Sequence, residues 1–395
     1  MDGVTETSPI AGLHAATADL EPPLAALDLT ALRANAADLV RRAAGVPIRV
    51  ASKSVRCRAV LEEVLGTGLT ADGGFAGIMS YSLAEAIWLV RLGARDVLLG
   101  YPVTDRAALA ELGADPMLRD AITLMIDHAD QLELIRAAVG SKNVHPRVCL
   151  DVDASLRIGP LHLGVRRSPI RSPEQAATLA ETARRRGFDV VGVMTYEAQI
   201  AGLPDSNIAV RLVKKASAAE IGRRRGAVVE AVRSVAGPLR IVNSGGTGSI
   251  EVSTADAVVT EVTAGSGLYA PTLFDDYRAF RATPSLFFAL PVVRKPTDRI
   301  ATLFGGGYIA SGPAGASRVP KPVWPIGLRL IGTEGAGEVQ TPLTGADHLR
   351  IGDRVWMRHA KAGELCERFD RLHLVDGDGK RTAVPTYRGE GKCFG

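Results

Sequence analysis

An eight-stranded α/β barrel followed by an antiparallel β domain is the fold class that this sequence predicts. Three observations carry the prediction. Eight short apolar runs alternate with helix-like segments over roughly 220 residues, the arithmetic of a (β/α)8 barrel. After about Arg281 the texture changes to short runs broken by Gly and Pro, with little helical periodicity. Finally, the chemically distinctive residues fall where the first and the last two runs end, at the carboxyl face on which barrel enzymes build their sites. A doubly wound sheet is the competing reading, because strand order cannot be taken from one sequence, and the count of eight favours the barrel.

Taken in order, residues 1–23 (SPIAGLHAATADLEPP and its flank) read as a flexible lead-in. From Leu24, LAALDLTALRANAADLVRRAAG has helical spacing after a short apolar start, with Asp28 or Thr30 as caps and Gly45 as the stop. The predicted strands are IRVAS, AGIMS (76–80), DVLLGY (96–101), ITLMI (122–126), RVCLDVD (147–153), VVGVMTY (190–196), LRIVNS (239–244) and AVVTEVTAG (257–265). Near-continuous apolar runs of this kind suit parallel strands buried on both faces. Stretches such as LAEAIWLVRLGA, DQLELIRAAVG and SPEQAATLAETARRRG supply the intervening helices. The barrel domain is thus expected over residues 24–284 and the β domain over 285–395. PSLFFALPVVRK, RIATLFGGGYIA, PIGLRLIGTE, DRVWMRHA and LHLVDGDG are the strand-like runs of the latter.

Composition narrows the class. With 395 residues, 46% hydrophobic and 23% charged, the chain has ordinary globular character and enough length for one large and one smaller domain. The net charge of +4 is spread along the chain, and its densest basic runs, Arg184–Arg186 and Arg223–Arg225, sit in helix-like segments as solvated faces. Neither nucleic acid nor a membrane surface is indicated as a partner. Cys57, Cys149, Cys366 and Cys393 are far apart, which suits a reducing cytoplasm. No signal peptide and no apolar run long enough to span a bilayer is evident.

The stretch PIRVASKSVRCR places Lys53 where the first strand stops and a helical pattern begins. Burial there would disfavour its charged form, and a neutral amine attacks carbonyls; the plain alternative is a rim lysine reaching to water. The seventh strand runs into Asn243-Ser244-Gly245-Gly246-Thr247-Gly248-Ser249 and the eighth into Ala264-Gly265-Ser266-Gly267-Leu268-Tyr269. Glycines let backbone N–H groups approach phosphate oxygens, hydroxyls add donors, and a following helix N-terminus adds partial positive charge. Either loop alone could be a tight turn, but the pair stands where barrels place phosphate sites. An amine and a phosphate cradle in one mouth match pyridoxal 5′-phosphate, which offers an aldehyde and a phosphate. A Schiff-base sugar-phosphate aldolase remains the alternative on these residues.

The ordered set of ASKS at Lys53, Asp151-Val-Asp-Ala-Ser-Leu-Arg157-Ile-Gly159, Thr195-Tyr196-Glu197, the two glycine loops, His359-Ala360-Lys361 and Arg388-Gly389 resembles the alanine-racemase-fold (fold type III) pyridoxal phosphate enzymes. Within them it looks like the D-threonine aldolase and D-serine dehydratase group, from about Pro22 onward. The resemblance implies that Lys53 carries the cofactor as a Schiff base and then acts as base on one face of it. It also implies that Arg157 lies near the cofactor's phenolic oxygen, that Tyr196 packs against the cofactor, and that Ser244, Gly245, Gly246, Thr247, Gly265, Gly267 and Tyr269 belong to the loops that hold the phosphate. Against these stand a rim ion pair from Arg157 to Asp151 or Asp153, and a plain core role for Tyr196. A homodimer in which one subunit's β domain caps the other's barrel is a further implication.

At His359 the sequence departs from the group, whose members resemble each other in a His-x-Asp or His-x-Cys pair holding a divalent metal. Here Lys361 stands at the second position, and a protonated amine cannot ligate a metal. Three readings follow. The metal is lost and Lys361 stands in as an electrophile, the second ligand has moved to Glu364 or Cys366, or His359 alone is acid/base at its ordinary pKa of about 6.5. Loss or substitution of the metal is preferred, and a purely structural His359 is the plain alternative. The expected function is a lyase acting on D- or β-hydroxy amino acids by aldol cleavage or elimination. An amino-acid racemase, with Tyr308 or Tyr387 as a second base, is the alternative, and a cofactor carrier is disfavoured by the appended β domain.

Overall fold

The computed structural model describes residues 9–71, 73–140, 143–205 and 207–395. Each of the eight predicted runs forms a barrel strand: Ile48–Ala51, Phe75–Ser80, Val97–Leu99, Ile122–Ile126, Arg147–Asp151, Asp189–Thr195, Ile241–Ser244 and Glu261–Ala264. They pair in parallel in chain order, and the barrel closes where Glu261–Ala264 pairs with Ile48–Ala51. The strands are almost wholly buried because helices cover the outside and side chains fill the inside. Leu98, Met125, Cys149, Val191, Met194 and Ile241 pack together as one cluster of that filling. Below the mouth, Arg49 is 1% exposed and braces three strands' ends, pairing with Glu261 at 2.7 Å and with Asp96 at 3.0 Å. Such a buried cation is tolerated only because both partners and their hydrogen bonds surround it.

The second domain is a nine-stranded, mostly antiparallel sheet centred on Leu286–Thr297. Two of its parts depart from the sequence reading. Leu24–Asp28, expected at the head of the barrel domain, is a strand of this sheet, antiparallel to Leu286–Thr297 and parallel to Arg371–Val375. Four of its five side chains are fully buried, so LAALD satisfies both faces of a sheet rather than one face of a helix. Residues 9–16 of the expected flexible lead-in form a helix whose Ile10 and Leu13 pack on Leu24, Phe287 and Trp356. Residues 1–8 lie outside the described residues. The predicted cap holds: the Asp28 carboxylate accepts a hydrogen bond from the Ala31 amide at 3.0 Å and starts the helix Leu29–Arg42.

The sheet domain reaches the barrel mouth through the segment after its strand Arg354–Arg358. The carbonyls of His359 and Ala360 accept from the amides of Thr272 and Leu273 at 3.1 and 3.2 Å. Gly363, at φ +90°, lies so close to the Lys53 turn that a Cβ there would collide with the Lys53 carbonyl. Only glycine meets both demands. The fold therefore sets the 359–363 segment directly against the turn that carries the lysine.

Candidate active site

A pocket opens at the carboxyl ends of the barrel strands, and Lys53 lines it together with Tyr101, Tyr196, Gly245, Gly246, Thr247, Gly265 and Ser266. The strand Ile48–Ala51 ends in a single 3-10 turn, Ser52–Ser54, which turns Lys53 into the mouth. The Ser52 hydroxyl anchors that turn by donating to the Met79 carbonyl at 3.0 Å. Lys53 is exposed, not buried as its strand-end position suggested, and Nζ donates to Tyr101 Oη at 2.5 Å. Tyr101 follows the third strand; its place at a carboxyl end was the available signal, but an aromatic there reads equally well as core.

The two glycine loops meet in the same pocket. Thr247 Oγ1 accepts from the Gly267 amide at 3.0 Å and from Ser266 Oγ at 3.3 Å, which ties one loop to the other. Gly245 takes φ +85°. At Gly265 a Cβ would sit 2.7 Å from the Ala51 carbonyl and 3.1 Å from Ser54 Cβ, so its absence keeps open the space beside the Lys53 turn. The helices after the loops, Ile250–Thr254 and Ser266–Tyr269, are five and four residues long. Short helices add little dipole, so N–H and hydroxyl donors carry an anion here. No carboxylate is among the residues lining this pocket. Amine, cradle and open space together fit pyridoxal phosphate.

Several expected site residues stand elsewhere. Ser244 is buried behind the loop, its hydroxyl accepting from Arg225 Nη2 at 2.8 Å and donating toward Glu197 Oε2 at 2.9 Å. Gly267 contributes its amide to the inter-loop tie instead of lining the pocket. Tyr269 is fully buried and donates to the Val55 carbonyl at 2.8 Å. Arg157 is outside the pocket: it rides on the hairpin Leu156–Ile158 and Leu161–Leu163 and pairs with Asp153 at 2.8 Å. Arg167, beyond that hairpin, is the arginine that lines the pocket, its guanidinium 5.6 Å from the Tyr196 ring and 5.9 Å from the Tyr101 ring. The hairpin decides this, because it carries Arg157 outward and brings the chain back at Arg167.

Behind the cradle lies a buried network that local sequence pattern did not reveal. Glu197, with no exposed surface, accepts from Ser244 Oγ, from the Gly245 amide at 3.2 Å and from Ser253 Oγ. Arg225 stands 3.6 Å from it and also bonds Thr195, Ser244 and Asp256. On the first-strand side, Glu85 is buried and accepts from the Tyr81 amide at 2.8 Å and the Tyr387 hydroxyl at 3.0 Å. Burial pushes its carboxyl up to about 7. With its hydroxyl spent there, Tyr387 is not free to serve as a second base.

His359 and Lys361 border a second cavity of about 250 Å3 with Tyr308 and Arg368. His359 is 3% exposed and neither ring nitrogen has a hydrogen-bond partner. Burial, helped by Arg358, pushes its pKa down to about 3, which corrects the expectation of an acid/base at its ordinary value. Lys361 is half-buried, with Nζ 3.4 Å from Ser311 Oγ. Burial and the neighbouring Arg318 and Lys53 lower its pKa. Glu364 spends both carboxylate oxygens on the Ser311 amide, and the Cys366 thiol is buried 4.0 Å from Tyr269 Oη, burial pushing its pKa far up. Among the described residues no group of three or more His, Cys, Asp and Glu is placed to hold a metal. A lone imidazole beside an ammonium does not fit a divalent ion.

Against known proteins, the family described as alanine racemase, N-terminal domain, matches residues 27–272. A curated D-threonine aldolase from Arthrobacter sp is 26% identical over 293 residues, covering 72% of this chain and 71% of that protein. The crystal structure of D-threonine aldolase from Filomicrobium marinum superposes with a TM-score of 0.78 at 21% identity, over 94% of this chain and 96% of the other. D-threo-3-hydroxyaspartate dehydratase from Delftia sp. HT23 follows at 0.74 and 20%, over 93% and 97%. Both superpositions speak for the fold.

Proposed function

The chain belongs to the alanine racemase N-terminal domain family, and from that premise we propose that it is a pyridoxal-phosphate-dependent lyase acting on β-hydroxy amino acids, the D-configured ones in particular. The observation that carries this is the convergence of the Lys53 amine and the Gly245–Thr247 and Gly265–Ser266 cradle in one pocket. The 26% identical D-threonine aldolase supports the choice of substrate class. Pyridoxal phosphate, when bound, supplies the electron sink that makes bonds at the substrate's Cα labile. Lys53 would be its point of attachment, and Thr247, Ser266 and the loop amides would hold its phosphate. Lys53 Nζ then moves the proton at Cα or at the departing group, and Tyr101, bonded to Nζ at 2.5 Å, orients it. Tyr196, packed beside Gly246, and Arg167, 5.6 Å from the Tyr196 ring, wall the pocket and limit water at the reacting carbon.

No helix among the described residues is long and apolar enough to cross a membrane. We take the working form to be a cytoplasmic homodimer, as the family resemblance implies. The deciding experiment is an absorbance spectrum from 300 to 500 nm, followed by product analysis with D-threonine and D-threo-3-hydroxyaspartate. A band near ~420 nm that is lost in Lys53→Ala is expected. Release of an aldehyde identifies aldol cleavage, and release of ammonia identifies elimination. A protein that stays colourless with added cofactor, or a Lys53→Ala protein that keeps the band after borohydride, would refute the assignment.

A further inference from the structure

We propose that Lys361 fills, as a fixed cation, the position beside His359 that a divalent ion would need, so that this chain handles the β-substituent of its substrate without a divalent metal. The part concerning substrate rests on the function proposed above; the part concerning metal does not. The donor set carries the argument. Among the described residues bordering the cavity, the metal-competent side chains are His359, Glu364 and Glu367; Glu364 is spent on the Ser311 amide and Glu367 on Arg56 at 2.8 Å, and nearby Cys366 is buried against Tyr269, which leaves His359. Two residues on, the Lys361 ammonium is half-buried, in the field of the Arg318 and Lys53 cations with the Glu364 carboxylate as the one opposing charge on it, and Ser311 Oγ is its hydrogen-bond partner at 3.4 Å. A divalent ion bound at His359 would stand beside these like charges in a partly desolvated space, where Coulomb repulsion is strong. An anion or an electronegative oxygen would be attracted to the same spot.

The geometry also ties this cation to the pocket. Gly363 packs against the Lys53 carbonyl, so Lys361 and Lys53 are fixed on either side of one backbone contact. Lys361 borders the cavity next to the Lys53 pocket and interacts electrostatically with Lys53, so the β-hydroxyl or β-carboxylate of an amino acid held at Lys53 would meet its ammonium by extending toward that cavity.

The test uses full-length protein stripped with chelator and titrated with Mn2+ alone, free ion being read by electron paramagnetic resonance. Wild type is expected to leave the Mn2+ signal at the buffer level. Lys361→Asp is expected to remove one equivalent of signal per chain, and Lys361→Asp with His359→Ala is expected to lose that gain. One equivalent taken up by wild type and released in His359→Ala would overturn the inference, as would a folded Lys361→Asp protein that binds no Mn2+. Independently, in the cofactor-loaded protein, Lys361→Ala should raise the spectroscopic Kd for D-threo-3-hydroxyaspartate by roughly tenfold, the size of one charged hydrogen bond, while Kd for D-alanine stays within about twofold. Equal weakening of both would assign Lys361 a structural role. A protein that binds no pyridoxal phosphate would sink the proposed function yet leave the Mn2+ result standing.

Discussion

Replacing Glu197 by alanine tests whether the buried network behind the cradle is what shapes it. In the native chain the carboxylate has no exposed surface and receives Ser244 Oγ, the Gly245 amide and Ser253 Oγ. It also faces the Arg225 guanidinium at 3.6 Å. Deleting it leaves Arg225 buried with Asp256 as its remaining acidic partner and strands two donors, the Gly245 amide and Ser253 Oγ, while Ser244 Oγ keeps the Thr195 carbonyl as an acceptor at 2.9 Å. Breaking a buried pair from one side costs about 3–5 kcal/mol. For 395 residues an unfolding entropy near 2.1 cal/mol/K each gives about 0.8 kcal/mol/K, so Tm should fall by about 4–6 °C. Stability alone would not separate bracing from ordinary core packing, so the second readout is pyridoxal phosphate affinity by absorbance titration well below Tm. The Gly245 amide loses the acceptor that aims its peptide, and Kd should rise roughly tenfold, the worth of one charge-assisted hydrogen bond. Glu197→Gln, which keeps shape and loses charge, should fall between. A Tm loss under about 1 °C would refute the energetic reasoning, and a full Tm loss with unchanged Kd would refute the positioning role.

Gly265→Ala should weaken cofactor binding more than Gly246→Ala. The first Cβ meets backbone oxygen of Ala51 at 2.7 Å, which cannot yield, whereas the second meets the Ala201 side chain at 3.0 Å; equal Kd values in titration would contradict this. Arg157→Ala should leave the cofactor spectrum unchanged and lower Tm by at most about 1 °C, because Arg157 is itself exposed and the buried Asp153 it pairs with keeps Arg171 at 3.2 Å; Arg167→Ala should alter the spectrum. Glu85 gives a pH test. Its folded pKa of about 7 lies above the ordinary 4.5, so the folded state holds the proton more tightly and this group's stabilisation is full below pH 4.5 and lost as pH rises to 7. Glu85→Gln should therefore show roughly 3 kcal/mol less loss of unfolding free energy over that interval in urea titrations, and an unchanged slope would count against the shift.

What the sequence disclosed followed from backbone position. A strand buried on both faces must be a short continuous apolar run, so all eight barrel strands were legible, and with them Lys53 and the two glycine loops, whose place at strand ends needs no side-chain geometry. LAALD misled because it runs straight into the helical spacing of LTALRANAADLVRR and reads as that segment's apolar start, while the strands that pair with it, Leu286–Ala289 and His373–Val375, lie far along the chain. Arg157 and Arg167 follow the same fifth strand, and the choice between them was made by a hairpin of two three-residue strands too brief to stand out from loop. Glu197 and Arg225 were hidden more deeply. Arg225 belongs to a basic run that reads as a solvated face, Glu197 lies just past the end of a strand with nothing local to name its partner, and a helix of 29 residues has to form before the guanidinium reaches the carboxylate. The same distinction explains His359-Ala360-Lys361. The spacing was visible in the chain, but the absence of a second ligand was not, because that depends on Glu364 being bound to Ser311 and on Cys366 being sealed against Tyr269. A departure from a metal-holding pattern becomes a chemical statement only when every nearby donor has been given another occupation, and here the fold gives each of them one.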